Sequence, residues 1–283
     1  MTDTSRPGQS HPPKGWRLLL YRVCWAIAVG ATTAYLPGPV EGKENLPSEG
    51  AYILAPVHRS YVDWIVVARV TRRRLRYIVK DAVWKVKWVG SFIELLGAYP
   101  VRRGTADREA LNRSVEALEG GEPLVLFPEG TRRHGPTLEP ILDGAAYLAL
   151  RAGVPIIPVG VGGSERRMPK GSKFPRPGRI SIVIGEPIDP AAWVKEGRSE
   201  ASGGAARRVP RSATRDLSAV VRWEVQRCFD RAQARLGLAT ATPEQIREAG
   251  IALPGMAGQA RPAPAATVVV ADAAAAAADD EGN

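Results

Sequence analysis

The chain has 283 residues, 45% of them apolar and 24% charged. That balance excludes a wholly disordered polymer and allows one good-sized domain with appendages, or two small ones. Lys and Arg outnumber Asp and Glu by 39 to 29, a formal charge of +10, which favours an anionic partner: nucleic acid, acidic lipid headgroups or a phosphorylated substrate. The two cysteines, Cys24 and Cys228, are too few for a disulfide framework or a zinc cluster and read as buried thiols, so no metal site is expected.

In chain order, residues 1–15 are polar and carry Pro7, Pro12 and Pro13, a composition expected to stay disordered. Residues 16–36 are apolar, but Arg22 divides them. A simple membrane span needs about 20 uninterrupted apolar residues. The segment is therefore expected to form a helix, or helix pair, lying in the membrane interface, with Trp16, Trp25 and Tyr35 at headgroup depth and the arginines snorkelling. A helix docked on the core is the alternative. A signal peptide fits less well, because Arg22 breaks the apolar run.

From residue 37 to about 240 the pattern alternates. Strands are predicted over 52–55, 76–79, 98–101, 124–127, 156–161 and 180–184. Helices are predicted over 60–71, 84–96, from a Thr105 cap to Gly120 and Gly121, over 145–152 and over 217–236. Such alternation predicts an α/β domain: a mixed, largely parallel sheet flanked by helices, behind an N-terminal membrane-associating helical segment. Residues 196–211 read as a flexible surface insertion within that domain. Residues 241–283 read as a low-complexity, disordered tail ending in alanines and acids.

Ligands of such folds sit beyond the carboxyl ends of the strands, so the segments after each strand carry the chemistry. After the first comes His58 with Asp63 five residues on. On one helix those side chains would not share a face, being about 500° apart. With His58 in a turn and Asp63 in the first helical turn, the carboxylate can point back and fix the imidazole tautomer. The same residues fit a plain capping box, Ser60-x-x-Asp63, with no catalytic meaning. From Arg69 to Arg103 lie ten Lys or Arg against Asp81 and Glu94, with Trp84 and Trp88 among them. That interleaving fits a lipid surface, or else helix-end caps and a solvated face. After the fourth strand comes Phe-Pro-Glu-Gly-Thr-Arg at 127–132. Such a turn can offer an anion a backbone N–H, the Thr131 hydroxyl and the Arg132 fork. Glu129 fits less well beside a phosphate; pairing with an arginine such as Arg103, or accepting a backbone or ligand hydrogen bond, is the better expectation.

Taken together and in this order, these segments resemble the 1-acylglycerol-3-phosphate (lysophosphatidate) acyltransferase family of glycerolipid synthesis. The blocks are His58…Asp63, Gly-Ala-Tyr-Pro-Val-Arg-Arg at 97–103, Phe-Pro-Glu-Gly-Thr-Arg at 127–132 and Val-Pro-Ile-Ile-Pro at 154–158. They are supported by Glu-Gly-Lys-Glu-Asn-Leu-Pro at 41–47 and Gly-Glu-Pro-Ile at 185–188. The similarity covers about residues 36–237. Val57 stands where the family usually has Asn, and Leu142 and Asp143 where it often has a basic pair. The departures leave the His–Asp pair intact and bear on the acyl acceptor.

The resemblance implies transfer of a fatty acyl group from acyl-CoA or acyl-carrier protein to the free hydroxyl of 1-acylglycerol 3-phosphate, giving phosphatidic acid. The thioester is a cosubstrate and no cofactor is implied. His58 would be the general base and Asp63 its orienting acid. Arg103, Glu129, Gly130, Thr131 and Arg132 would hold the substrate phosphate. His58 also suits the role because His11 lies in the polar tail and His134 in a turn. The implied partners are the thioester donor, a lysophospholipid acceptor and an anionic membrane surface on the cytoplasmic face of the cell membrane, not nucleic acid. Other acceptors remain open: glycerol 3-phosphate, another lysophospholipid or a lyso-aminolipid. So do two readings of another class, a thioesterase using Ser60 and a non-catalytic anionic-lipid-binding module.

Overall fold

The computed structural model describes residues 15–80, 84, 87–101, 108–169, 171–193 and 209–251. Its centre is a seven-stranded sheet: β1 (Val40–Glu41), β2 (Ile53–Pro56), β3 (Arg76–Lys80), β4 (Ala98–Val101), β5 (Leu124–Val125), β6 (Ile156–Gly162) and β7 (Ser181–Ile184). The spatial order is β1-β7-β6-β2-β5-β3-β4. Strands β6, β2, β5, β3 and β4 run parallel, β7 is antiparallel to β6, and β1 is parallel to β7. The expected mixed, largely parallel sheet is thus present. Strand β1 escaped the sequence reading because two residues carry no periodicity.

Eight helices flank the strands among the described residues: α1 (Trp16–Tyr35), α2 (Asp63–Val67), α3 (Lys87–Leu95), α4 (Arg108–Glu119), α5 (Gly144–Ala152), α6 (Ser164–Arg167), α7 (Arg211–Ala234) and α8 (Pro243–Glu248). The central strands β2 and β6 are buried throughout, as strands covered on both faces must be. Helix α7 lies on β6. Its inward residues, Leu217, Val221, Val225, Cys228, Phe229 and Ala232, fall on one face at helical spacing and are buried. The approach is close because β6 presents Gly160 and Gly162 there. A Cβ on Gly160 would stand 2.1 Å from the Cys228 carbonyl oxygen, and one on Gly162 2.4 Å from that of Ala232. Burial beneath this contact pushes the Cys228 thiol up to about 12. Cys24, on α1, is only half-buried.

Three expectations need correction. The first concerns the basic stretch. Arg69 donates to the Leu36 and Gly38 carbonyls, Arg73 to those of Pro47 and Gly121, and Arg74 pairs with Glu122. Trp84 donates to Glu94 at 2.7 Å and covers Gly90. These four groups tie loops to strands, because a guanidinium can satisfy several carbonyls at once; Arg72 is exposed, and the side chains of Lys80, Lys85, Lys87, Arg102 and Arg103 lie outside the described ones. The side chain of Trp88, like Thr105, lies outside the described ones.

The second concerns the stretch 241–283. Its first eleven residues fold: Thr242 and Gln245 form a reciprocal capping box with Pro243 at the first helical position, and Ile251 is buried. Of the insertion expected at 196–211, residues 196–208 lie outside the described ones; Val209 packs against the core and Arg211 opens α7.

The third concerns the helix after His58, which begins at Asp63 rather than Ser60 and ends in a 3-10 turn, Ala68–Val70.

Helix α1 is one helix, not a pair. It docks on α2 and that 3-10 turn, and Tyr21 is buried beside Arg74. The opposite face leaves Trp16, Leu19, Leu20, Val23 and Ile27 exposed, a stripe at helical spacing. The window Leu18–Tyr35 is long and apolar enough to cross a membrane by length and composition, with Arg22 exposed within it.

Because both glycines of β6 face the α7 backbone, Gly160→Ala should destabilise the domain by about 1–3 kcal/mol through overpacking. Urea unfolding of the two proteins measures it. A change under about 0.5 kcal/mol, the scatter of an ordinary surface substitution, would show that the helix can move away freely.

Candidate active site

The site is a consequence of register. Strands β2 and β5 are parallel neighbours with Leu54 opposite Val125. Four residues further along each strand's direction come His58 and Glu129, which therefore emerge side by side. The pairing continues past the strands: the Leu126 N–H donates to the Leu54 carbonyl, and the Val57 N–H to that of Val159 on β6.

Glu129 accepts the His58 backbone N–H at 3.0 Å on Oε2. Arg59 Nη1 donates to both carboxylate oxygens, at 2.8 and 2.7 Å. Both side chains are fully buried. The other donors of Arg59 reach the carbonyls of Gly135 and Thr137, and its guanidinium lies over the Phe229 ring of α7. Arg133 N–H closes the assembly onto the His58 carbonyl at 2.9 Å. A buried ion pair is tolerable only when its remaining hydrogen bonds are also made, and here the flanking loops make them.

On that base stands the His–Asp pair. Asp63, wholly buried at the start of α2, accepts three donors on Oδ2: His58 Nδ1 at 3.0 Å and the backbone N–H groups of Arg59 and Ser60 at 2.7 Å each. A carboxylate can only accept, so Nδ1 carries the proton and Nε2 keeps its lone pair. The imidazole stacks on Phe127, with ring centroids 4.1 Å apart, and retains 17% side-chain exposure. The result is a locked imidazole with one accessible basic nitrogen, the geometry of a general base.

The structure brings some expected residues together and withdraws others. Gly130, Thr131 and Arg132 follow Glu129 beside His58, and Arg132 lies face-on over the Tyr61 ring at 3.3 Å. The Gly130 N–H, however, is engaged by the Phe127 carbonyl at 3.0 Å, and its φ of +65° serves the turn. Glu129 meets the expectation that it pairs with an arginine and accepts a backbone N–H, and only the phosphate contact implied by the resemblance is corrected: with both oxygens occupied in a buried pair it holds the histidine turn. Its partner is Arg59, while Arg103 lies outside the described residues. Leu142 is exposed against Gly130, and the Asp143 carboxylate accepts from Ser218 of α7 at 2.7 Å.

Sequence reasoning missed Arg59 and Tyr61. An arginine directly after the histidine, in an apolar strand-to-helix turn, was the available signal for the first. Ser60 is also settled: its hydroxyl donates to the Met168 carbonyl, accepts the Val62 N–H, and is buried. A half-open pocket of about 160 Å³ is lined by Arg59, Gly135, Glu165, Phe229 and Gln233 among others; His58 is not part of its lining. Among the described residues no cluster of His, Cys, Asp and Glu could hold a metal.

An α/β sheet that presents a carboxylate-locked imidazole beyond its strand ends can move a proton there, and comparison with known proteins narrows the chemistry. A family model described as Acyltransferase matches residues 39–162, which contain both strands and both loops of the site. A 1-acyl-sn-glycerol-3-phosphate acyltransferase of Bacillus subtilis is 29% identical over 153 residues, 54% of this chain and 74% of that protein. A chloroplastic enzyme of that name from Brassica napus is also 29% identical, over 53% of this chain and 44% of its own length. The crystal structure of the 1-acyl-sn-glycerophosphate acyltransferase PlsC from Thermotoga maritima superposes with a TM-score of 0.61, covering 80% of this chain and 83% of that one at 24% identity, which speaks to the fold. Residues 39–162 of this chain are thus similar to the acyltransferase family, and the relatives that match carry the name of an O-acyltransferase.

Removing Arg59 would leave Glu129 charged and alone in the interior. Arg59→Met should therefore lower stability by about 3–5 kcal/mol. Chemical denaturation decides it: a loss below about 1 kcal/mol would mean that the pair is not the foundation of the turn.

Proposed function

We propose that the protein transfers a fatty acyl group from an acyl thioester, acyl-CoA or acyl-carrier protein, to the free hydroxyl of 1-acylglycerol 3-phosphate, yielding phosphatidic acid for phospholipid synthesis. The observation that carries this is the Asp63-locked imidazole of His58, with a single accessible basic nitrogen, beside a loop that bears Thr131 and Arg132. The named activity of the Bacillus and Brassica relatives supports the choice of acceptor.

An alcohol is a weak nucleophile at neutral pH. As the acceptor oxygen attacks the thioester carbonyl, His58 Nε2 takes its proton, a contribution of about 10²–10⁴-fold. The new C–O bond forms, the C–S bond breaks, and the imidazolium returns the proton to the departing thiolate. Asp63 holds the ring and stabilises the imidazolium meanwhile, as the acid of a triad does. The nucleophile belongs to the substrate, so no acyl-enzyme is required. The alternative, a thioesterase using Ser60, is disfavoured by that hydroxyl's burial and two hydrogen bonds. Thr131 and Arg132, with Arg103, are assigned to the acceptor phosphate, the guanidinium supplying a charge-assisted donor pair. The exposed stripe of α1 is assigned to the cytoplasmic leaflet, where one substrate resides.

His58→Ala should abolish thiol release from acyl-CoA in the presence of lysophosphatidate while leaving the circular dichroism unchanged. Near-wild-type turnover would end the base assignment. Asp63→Asn should cut kcat about 10⁴-fold by admitting the wrong tautomer. Arg132→Ala should instead act mainly on KM for a phosphate-bearing acceptor. Equal KM for phosphate-bearing and phosphate-free acceptors in both proteins would remove it from headgroup recognition.

A further inference from the structure

Between α6 and β7 the chain makes a long connection, residues 168–180, that the chemistry does not use. It carries Lys170, Lys173, Arg176 and Arg179 and no acidic residue, with prolines at 169, 175 and 177. Despite its length it is firmly stapled. At its start the Met168 carbonyl accepts from Ser60 in the histidine turn. Arg176 N–H donates back to the Arg167 carbonyl at 2.7 Å, and the Arg167 guanidinium reaches the Pro177 carbonyl at 2.8 Å. At the far side the Tyr35 hydroxyl, at the end of α1, donates to the Pro175 carbonyl, while Gly178 N–H donates to the Tyr35 carbonyl.

At the tip of this fixed loop stands Phe174, 80% exposed, the most exposed large apolar side chain among the described residues. Lys173, Arg176 and Arg179 of the same loop are exposed too. A lone exposed aromatic means little. Here the backbone is ordered in advance by prolines and five anchoring hydrogen bonds, so little entropy is lost on docking. The surroundings are cationic. The loop is bonded to the very helix whose outer face displays Trp16, Leu19, Leu20, Val23 and Ile27.

We infer that loop 168–180 is a second membrane contact: Phe174 enters the headgroup–acyl boundary of an anionic bilayer while Lys173, Arg176 and Arg179 engage its phosphates. The inference deepens the proposed function, on which its biological sense rests. An apolar wedge among cations fits an anionic lipid surface. Attachment to the end of the helix that carries an exposed apolar stripe favours lipid over an acidic protein, which would need no such neighbour.

The experiment is sedimentation of the full-length protein with vesicles of phosphatidylcholine alone or mixed with phosphatidylglycerol. Phe174→Ala should weaken binding to the mixed vesicles about tenfold, the effect of withdrawing a largely buried aromatic. Lys173→Gln combined with Arg176→Gln and Arg179→Gln should remove most of the preference for anionic vesicles, about fivefold for each charge. Both variants should keep wild-type transfer rates in detergent micelles. Binding equal to wild type in both variants would overturn the inference. So would unchanged vesicle binding with a selective loss of transfer from acyl-carrier protein, which would make the loop a docking surface for an acidic protein. Vesicle binding requires no turnover, so a chain that transferred no acyl group would still answer the question.

Discussion

Two opposite charges, Arg59 and Glu129, are buried together where β2 and β5 end, and the site is built on them. Their attraction is not a large net gain, since taking both from water costs several kcal/mol per ion. What they supply is position. Glu129 holds the His58 N–H, and Arg59 spans from Glu129 to the Gly135 and Thr137 carbonyls. The two loops after adjacent strands are thereby fixed to each other, and neither can shift without exposing an unpaired charge.

A second constraint acts locally. One oxygen of Asp63 serves the imidazole and two consecutive backbone N–H groups. The turn between His58 and α2 is therefore wound around the carboxylate that orients the base. The same three hydrogen bonds shape the backbone and select the tautomer, so geometry and protonation state are set by one group. The capping-box pattern and the His–Asp pattern thus meet in one carboxylate, which accepts the Ser60 N–H and holds the imidazole, although α2 begins at Asp63 without a side-chain cap.

Legibility in the sequence followed the range of each interaction. The His58–Asp63 pair spans five residues, and its chemistry is visible in the spacing. The strand–helix alternation was equally local, and it gave the mixed sheet. Arg59 and Glu129 are seventy residues apart, and only the β2–β5 pairing joins them, so Glu129 read as an anomalous phosphate neighbour. Arg69, Arg73, Arg74 and Arg76 stayed open to two readings for another reason: composition counts charge, whereas burial against carbonyls and carboxylates decides what a guanidinium does. Thr242 and Gln245 did carry a readable capping box, but it was hidden by the alanine-rich composition that follows. Gly160 and Gly162 look like ordinary strand glycines until α7 is placed on them.

Ser60 connects these themes. Its position near the histidine invites the reading of a nucleophile, yet its hydroxyl spans from the Val62 N–H to the Met168 carbonyl. It therefore joins the histidine turn to the cationic loop, which is bonded in turn to the end of α1 through Tyr35. A serine kept for this link is a serine kept from attacking a thioester, because its proton is committed to the Met168 carbonyl and its oxygen is buried. The enzyme thereby leaves the nucleophile's place to the substrate. The same hydroxyl ties the histidine turn to the surface proposed to meet the bilayer. For an acceptor that stays in a membrane, the distance between the two decides whether its hydroxyl can reach His58 at all.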